Sequence, residues 1–330
     1  MAVVADSVEL TILVENWIDM LLPDREASPA DSLCLHRSGL IDHFDPKLKP
    51  PQAENGISIL VKVTQGRHST TIVFDAGLTG SVLAHNLGAL GLNPSTVDQV
   101  VLSHGHPDHY GGIYTLLGLI GHDTPVVTHP DAFLPRYALM GDGRAAPYYN
   151  GALGRSALQE HGGAVILTRE SLELGWGAIT TGEIPRQVEF EGPKPVTERG
   201  APGLYQVSPE GSFRLDEVWD EQALIVDVKD EGLVVLTGCS HAGVINTLKR
   251  AVELCGEKPI RAVLGGFHLG FPTTPVENVE KTLTALQEME VKTVMPMHCS
   301  GLRCHASFAA AFGASYLQPS VGTVLRVGRS

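Results

Sequence analysis

The sequence predicts an α/β fold in which sheets are covered by helices. Three observations carry that prediction. A strand–helix–strand rhythm runs through the first third of the chain and returns in the last. Several apolar runs end in Asp or His beside glycine, as strands do when they deliver polar groups to one edge of a sheet. One such run, Gln99-Val100-Val101-Leu102, leads into Ser103-His104-Gly105-His106-Pro107-Asp108-His109-Tyr110-Gly111-Gly112, which concentrates imidazoles and a carboxylate in a few residues.

Residues 8–14 are the first strand. Residues 57–63 partly alternate apolar and polar side chains, residues 69–74 follow, and Gly66 lies in the turn between them; the pair predicts an antiparallel hairpin. Apolar residues recur at helical spacing over 78–90, and Gly91 stops that helix. Short buried strands at 100–103 and 125–128 bracket a helix around 113–119. The later rhythm consists of strands at 223–228 and 233–237, a helix at 242–254, a strand at 261–264, a helix at 276–289 and a strand at 292–297. Between about 131 and 221 the pattern dissolves into Gly- and Pro-rich clusters such as Glu191-Gly192-Pro193-Lys194-Pro195. A stretch of that length reads as an insertion or lid over a binding site, the plainer alternative being a surface elaboration that shields a sheet. No linker divides residues 1–330, which read as one domain.

Composition limits the function. At 330 residues and 43% hydrophobic, the chain can bury a sizeable core. A formal charge of -13 offers no basic face for nucleic acid. No apolar run reaches membrane-spanning length and no basic-then-apolar leader is visible, so a cytoplasmic protein with no membrane partner is expected. A small-molecule substrate is the expected partner, and assembly into a homo-oligomer stays open. The five cysteines (Cys34, Cys239, Cys255, Cys299 and Cys304) form no framework spacing and read as reduced thiols. Cys299 and Cys304 stand near His298 and His305, but their spacing matches no common zinc module.

Metal ions need neutral imidazole nitrogens and carboxylate oxygens converging on one point, and short spacing lets one turn supply several. His104 and His106 alternate along extended chain and can reach the same ion. Asp108 and His109 turn away from them toward a second. Four further strand ends have the same form: Phe74-Asp75-Ala76-Gly77, Thr237-Gly238-Cys239-Ser240-His241, Gly265-Gly266-Phe267-His268 and Met297-His298-Cys299. Strand ends of this kind gather on one cleft in α/β sheets.

His104-Gly105-His106-Pro107-Asp108-His109 resembles the His-x-His-x-Asp-His signature of the metallo-β-lactamase fold, and Phe74-Asp75-Ala76-Gly77 resembles the motif that precedes it. Thr237–Gly243, Gly265–Leu269 and Met297–Gly301 resemble, more narrowly, the 7,8-dihydropterin-6-methyl-4-(β-D-ribofuranosyl)-aminobenzene-5′-phosphate synthase-like branch. The resemblance implies an αββα sandwich with a dinuclear metal site, two zinc ions first, with manganese or iron as alternatives. It implies His104, His106 and His241 on one ion, and Asp108, His109 and His298 on the other. Asp75 would accept a ligand histidine's N–H. Where many hydrolases of this fold have a bridging Asp after Thr-Gly, this chain has Cys239, read as a ligand or a small buried thiol. His268 is read as a catalytic cleft residue, contacting substrate or protonating a leaving group, against the alternative of a core histidine satisfied by a backbone carbonyl. His129 is the alternative ligand to His241. His36, His43, His68, His85, His122, His161 and His305 are expected to be structural or superficial.

The leading expectation is a hydrolase in which Asp108 orients water toward an ester, phosphoester or lactone. Its rivals are a transferase of the synthase type, with Arg136, Arg144, Arg155 or Arg186 meeting a phosphate, and a non-catalytic metal-bound sensor. A di-iron redox site calls for more carboxylates than the motifs supply.

Overall fold

The hairpin that opens the fold follows from side-chain alternation on one short turn. In a computed structural model describing residues 3–28, 31–37, 49–148, 153–192, 203–271 and 274–329, β1 (Ser7–Val14) and β2 (Cys34–His36) precede β3 (Ser58–Gln65) and β4 (His68–Phe74). β3 and β4 pair antiparallel through Gly66, whose φ of 57° suits the tight turn. The helix expected over 78–90 is α1 (Gly80–Ala89), starting two residues late because the Thr79 side chain accepts from Val82 N and so caps it. β5 (Gln99–Val101) leads to a four-residue helix α2 (Pro107–Tyr110), where a plain loop was expected. Pro107 at its first turn pre-sets the backbone. α3 (Ile113–Ile120) and β6 (Thr124–Thr128) follow as expected.

Residues 131–221 are more ordered than their composition indicates. They contain β7 (Arg136–Leu139), β8 (Ala145–Pro147), α4 (Arg155–Glu160), β9 (Gly163–Leu167), β10 (Glu173–Gly175), β11 (Ala178–Thr180), β12 (Gly203–Val207) and β13 (Phe213–Leu215). Strands of three to five residues are too short to show a period, which is why the pattern is unreadable in sequence. β9 completes the edge of the first sheet and β10–β11 the edge of the second, whereas β7, β8, β12 and β13 form a separate four-stranded sheet. His43 and residues 193–202 lie outside the described residues. The chain continues through β14 (Leu224–Val228), β15 (Gly232–Thr237), α5 (Val244–Cys255), β16 (Ile260–Gly266), α6 (Val276–Glu288), β17 (Val294–Met297), α7 (Gly301–Phe312) and β18 (Val324–Gly328).

The two large sheets have the orders β2-β18-β1-β3-β4-β5-β6-β9 and β10-β11-β14-β15-β16-β17. Their facing sides share one core, in which Ile72, Phe74 and Val101 meet Val234, Leu236, Leu264 and Met295. The intervening residues point the other way: Val73 and Val100 pack under Leu83, Leu116 and Leu117 of α1 and α3, and Val235 and Val263 under Leu248, Leu286 and Phe308 of α5, α6 and α7. Layers therefore run helix, sheet, sheet, helix, the expected αββα sandwich. Strands covered on both faces have no polar side to show, which explains their continuous apolar runs. Within each sheet β4-β5-β6 and β15-β16-β17 run parallel, so their carboxyl ends open on a common edge. No helix among the described residues is long and apolar enough to cross a membrane.

His305 belongs to this scaffold. It lies buried on α7 with Nδ1 2.9 Å from the Tyr316 hydroxyl, and burial lowers its pKa from 6.5 to about 4. The folded protein thus excludes a proton that the unfolded chain takes up between pH 6.5 and 4. Its contribution is intact above that window and is lost as pH falls through it, by about 3 kcal/mol in all. Chemical denaturation of His305→Phe across pH 4–7 should show a correspondingly flatter acid limb than the parent chain.

Candidate metal centre

The site begins with Asp75, the residue after β4, fully buried and held at a φ of 58°. Its Oδ1 accepts from Ser103 N at 2.7 Å, and its Oδ2 accepts from Ser103 Oγ and from His109 Nδ1, both at 2.7 Å. An ionised carboxylate only accepts, so the proton of His109 sits on Nδ1 and Nε2 faces the site. Ser103 has spent its one hydroxyl proton on Asp75, so His104 Nδ1, 2.9 Å from Ser103 Oγ, is the donor in that contact. His104 Nε2 is then an unprotonated nitrogen, buried without a hydrogen-bond partner.

His106 is oriented the other way. Its Nε2 lies 3.2 Å from Asp216 Oδ2, leaving Nδ1 for the site. Asp216 in turn accepts from Arg136 Nε at 2.6 Å, and Arg136 Nη2 donates to Asp220 Oδ1 at 2.7 Å. Asp220 Oδ2 accepts from Gly105 N at 2.7 Å, and Arg136 Nη1 donates to Gly105 O at 3.2 Å. A Cβ at residue 105 would stand 2.2 Å from Ala132 O and 2.5 Å from Arg136 Nη1, so only glycine passes through this clamp. Arg136 is therefore buried in ion pairs and is not the phosphate reader the sequence suggested. Arg144 pairs with Asp142 at the surface, Arg155 lies over Phe133, and Arg186 lies over Trp219.

His241 and His298 come from the second sheet. His241 N and Ala242 N donate to the two oxygens of buried Glu221. Its ring centroid is 4.9 Å from those of both His104 and His106, and its Nε2 is buried without a partner. His298, at a φ of 45°, donates its backbone N–H to Glu15, and its Nδ1 lies 3.1 Å from Asn16 Oδ1. Its Nε2 lies 3.2 Å from Asp108 Oδ2.

Two groups result. Ligand atoms of His104, His106 and His241 lie within 4.8 Å of one another, as do those of Asp108, His109 and His298. Burial and the neighbouring imidazoles hold His104 and His241 well below the ordinary imidazole range, so both are neutral, the form that binds metal. Around the second group the balance reverses. Burial alone would lower His298, but Asp108 holds it up to about 9, and Asp108 is held well below the usual carboxylate range, against burial, by His109 and His298. That pair keeps a proton where a cation can take its place. Unpartnered buried nitrogens and a mixed nitrogen, oxygen and sulfur donor set fit bound metal ions.

His268, at a φ of 51°, packs its ring at a tilt against His241 and Phe271, with centroids 4.3 and 4.4 Å away, and its Nδ1 has no hydrogen-bond partner. It is not a core histidine satisfied by a carbonyl. His129 sits apart: Glu183 Oε1 lies 2.9 Å from its Nε2, and Asp131 N donates to its Nδ1. With both nitrogens engaged, it is not available as the alternative ligand. His68, His122 and His161 are exposed, and His36 and His85 half-buried. Asp216, Asp220, Glu221 and Glu15 escaped the sequence reading, and Ser103 and Arg136 were read without the roles they hold here. Of the four that escaped, Glu15 alone had a visible signal, a polar residue directly after the apolar strand β1.

Four of the six candidate ligands, His106, Asp108, His241 and His298, line a cleft of about 490 Å³ at the common strand edge together with His268, while His104 and His109 are fully buried. Tyr148, Leu204 and Val218 of the middle segment form the opposite wall. A larger hollow of about 1050 Å³, lined by Glu9, Lys62 and Arg326 among others, contains no histidine or cysteine and lies at the far strand ends.

Residues 58–245 match the family model of the metallo-beta-lactamase superfamily. The 7,8-dihydropterin-6-methyl-4-(beta-D-ribofuranosyl)-aminobenzene-5'-phosphate synthase of Methanocaldococcus jannaschii is 30% identical over 279 residues, 84% of this chain and 91% of its own. An uncharacterized protein of the same archaeon is 30% identical over 254 residues, 76% of this chain and 86% of its own. A solved structure described as a metal-dependent hydrolase of the beta-lactamase superfamily is 25% identical, with a TM-score of 0.70 over 98% of this chain and 100% of that one. A metallo-beta-lactamase fold protein of Bacillus subtilis, 13% identical, superposes with a TM-score of 0.51 over 97% of this chain and 100% of its own. With four layers, two histidine groups at one strand edge and a family match across more than half its length, the chain belongs to the metallo-beta-lactamase superfamily.

Proposed function

We propose that this chain is a metal-dependent hydrolase of an ester, phosphoester or lactone in a small, partly apolar molecule. The observation that carries the reading is the convergence of buried, unpartnered imidazole nitrogens and Asp108 on one cleft with apolar and aromatic walls. His104, His106 and His241 would hold one ion, Asp108, His109 and His298 the other. Zinc is the first choice because imidazole predominates in the donor set, with manganese or iron as alternatives. When bound, the ions supply Lewis acidity and a water that ionises near neutral pH.

The protein's own groups do the rest. Asp108 is only partly buried and faces the cleft, so its carboxylate can accept an O–H and fix the direction of attack. His268 presents an unpartnered Nδ1 beside His241, where it can hand a proton to a leaving group. Tyr148, Leu204, Val218 and Phe271 exclude water around the reacting centre. By this reading the middle segment is the lid that shapes the pocket.

A second reading, synthase-type group transfer, is favoured by the 30% identity to the archaeal synthase. Against it, no Lys or Arg lines the cleft among the described residues, so no cationic side chain there would hold a substrate phosphate away from the metal positions. Mass spectrometry of products formed from ester, phosphoester and lactone panels decides between them. Hydrolysed products support the proposal. A condensed product, or tight binding with no turnover, would sink it.

Four variants test the assignments. His106→Ala and Asp108→Ala should each lower bound metal and turnover together, whereas His268→Ala should keep its metal and lose ~10²–10⁴-fold in kcat. Asp216→Asn, which leaves the His106 ring in place but removes the charge it shares with Arg136, should bind metal ~10–100-fold more weakly by competition with a chelator, and its metal-free form should unfold more easily than the parent because buried Arg136 loses one of its two ion pairs.

A further inference from the structure

The chain leading into β3 is pinned on both sides of Asn55. Glu54 N donates to Glu15 O at 3.1 Å, and the Glu54 carboxylate accepts from Leu78 N, Thr79 N and Thr79 Oγ1 at the start of α1. Gly56 passes so close to the histidine-bearing turn that a Cβ there would stand 2.8 Å from Asp108 O, and Ile57 N donates to the same oxygen at 3.3 Å. Asn55 is thus an exposed side chain on fixed backbone, and it lines the cleft.

Its orientation is set by Asn16. Two backbone groups decide which way the Asn16 amide faces. Gly56 N–H, 3.3 Å from Asn16 Oδ1, requires an acceptor, and His298 O, 3.1 Å from Asn16 Nδ2, requires a donor. Oδ1 also accepts from His298 Nδ1 at 3.1 Å, and Nδ2 gives its remaining hydrogen to Asn55 Oδ1 at 3.3 Å. All four hydrogen-bonding positions of the Asn16 amide are then filled. Asn55 receives that hydrogen with its oxygen, so its own Nδ2 is turned away from Asn16. That nitrogen has no hydrogen-bond partner among the described residues.

The His298 end of the cleft therefore presents an oriented N–H2 group. No Lys or Arg accompanies it among the described lining residues, and the Asp108 carboxylate shares the cleft. A substrate carboxylate or phosphate placed there would meet a negative charge with no cationic side chain to offset it. An uncharged oxygen meets only the two amide hydrogens. Building on the hydrolase reading above, we propose that Asn55 is a specificity-determining residue, whose carboxamide donates to an uncharged carbonyl or ether oxygen that the substrate carries away from the bond being cleaved.

Three para-nitrophenyl esters test this. Levulinate carries a chain ketone, valerate lacks it, and the hemisuccinate replaces it with a carboxylate. The parent should hydrolyse levulinate with ~3–10-fold higher kcat/KM than valerate, expressed in KM, with the hemisuccinate poorest. In Asn55→Ala the ratio of levulinate to valerate should fall to about one. Asn55→Asp, which keeps the shape and puts an acceptor where the donor was, should lose the preference as well. Equal kcat/KM for levulinate and valerate in the parent, a preference for the hemisuccinate, or a preference that survives in both variants overturns the subsite. If the parent hydrolyses none of the three, the ester arm of the hydrolase reading fails separately, and the subsite is then decided by NMR. The Asn55 side-chain N–H2 signals, identified by their loss in Asn55→Ala, should shift saturably with methyl levulinate and not with methyl valerate. An equal response to both, or none to either, overturns the proposal.

Discussion

The site depends on one buried carboxylate. Asp75 is removed from water entirely, and a charge so placed is tolerated only with its lone pairs satisfied. Three donors satisfy it, all belonging to Ser103 and His109. That arrangement ties the end of β4 to the end of β5, and it chooses the tautomer of His109 directly and that of His104 through Ser103. Two imidazoles are thereby aimed before any ligand arrives. A neutral amide at residue 75 would offer one acceptor and an N–H2 group, and one of the three donors would lose its partner.

A second constraint comes from the middle segment. Arg136 on β7 joins Asp216 and Asp220, which flank the way into β14, and the three hold both the Gly105 backbone and the His106 ring. The same small sheet carries Leu204 into the cleft wall. Orientation of a candidate ligand and shape of the pocket are consequently set by one body. Loops that merely shield a sheet have no reason to bury an arginine between two aspartates, because such a pair recovers its desolvation cost only when the geometry is held closely.

This distribution explains what could be read from sequence. In the two large sheets β1, β3–β6 and β14–β17 were legible because residues covered on both faces leave long apolar runs, and the strand-end histidines because turn glycines mark where those runs stop; β2, β9, β10, β11 and β18 were not. The short helix α2 was hidden within a motif whose glycine and proline suggested loop. The partners of His106 were illegible for a different reason: Arg136 and Asp216 are 80 residues apart, and nothing in local spacing records a contact across that distance. Arg136 shows the hazard, since an arginine in a Gly/Pro-rich stretch invites a phosphate, and only burial reveals that its charge is already matched.

Backbone conformation shows where the chain accepts strain. Asp75, Ser240, His268 and His298 all have φ between 45° and 58°, and all follow strands that end at the cleft. A residue with a β-carbon held there costs ~1–3 kcal/mol and persists only when its surroundings over-determine it. The surroundings do: Glu15 takes the N–H of His298, Glu221 those of His241 and Ala242, and Ser240 donates its hydroxyl to Gly266 O. Burial pushes Glu15 and Glu221 each up to about 7, so these carboxyls are themselves costly to keep charged. A chain under selection for stability alone would replace such groups with apolar ones. Their retention at the bases of the histidine-bearing turns is accounted for by placement: left-handed corners aim side chains back over the strand ends, and buried carboxyls pin those corners through backbone N–H groups without occupying the side chains that face the cleft.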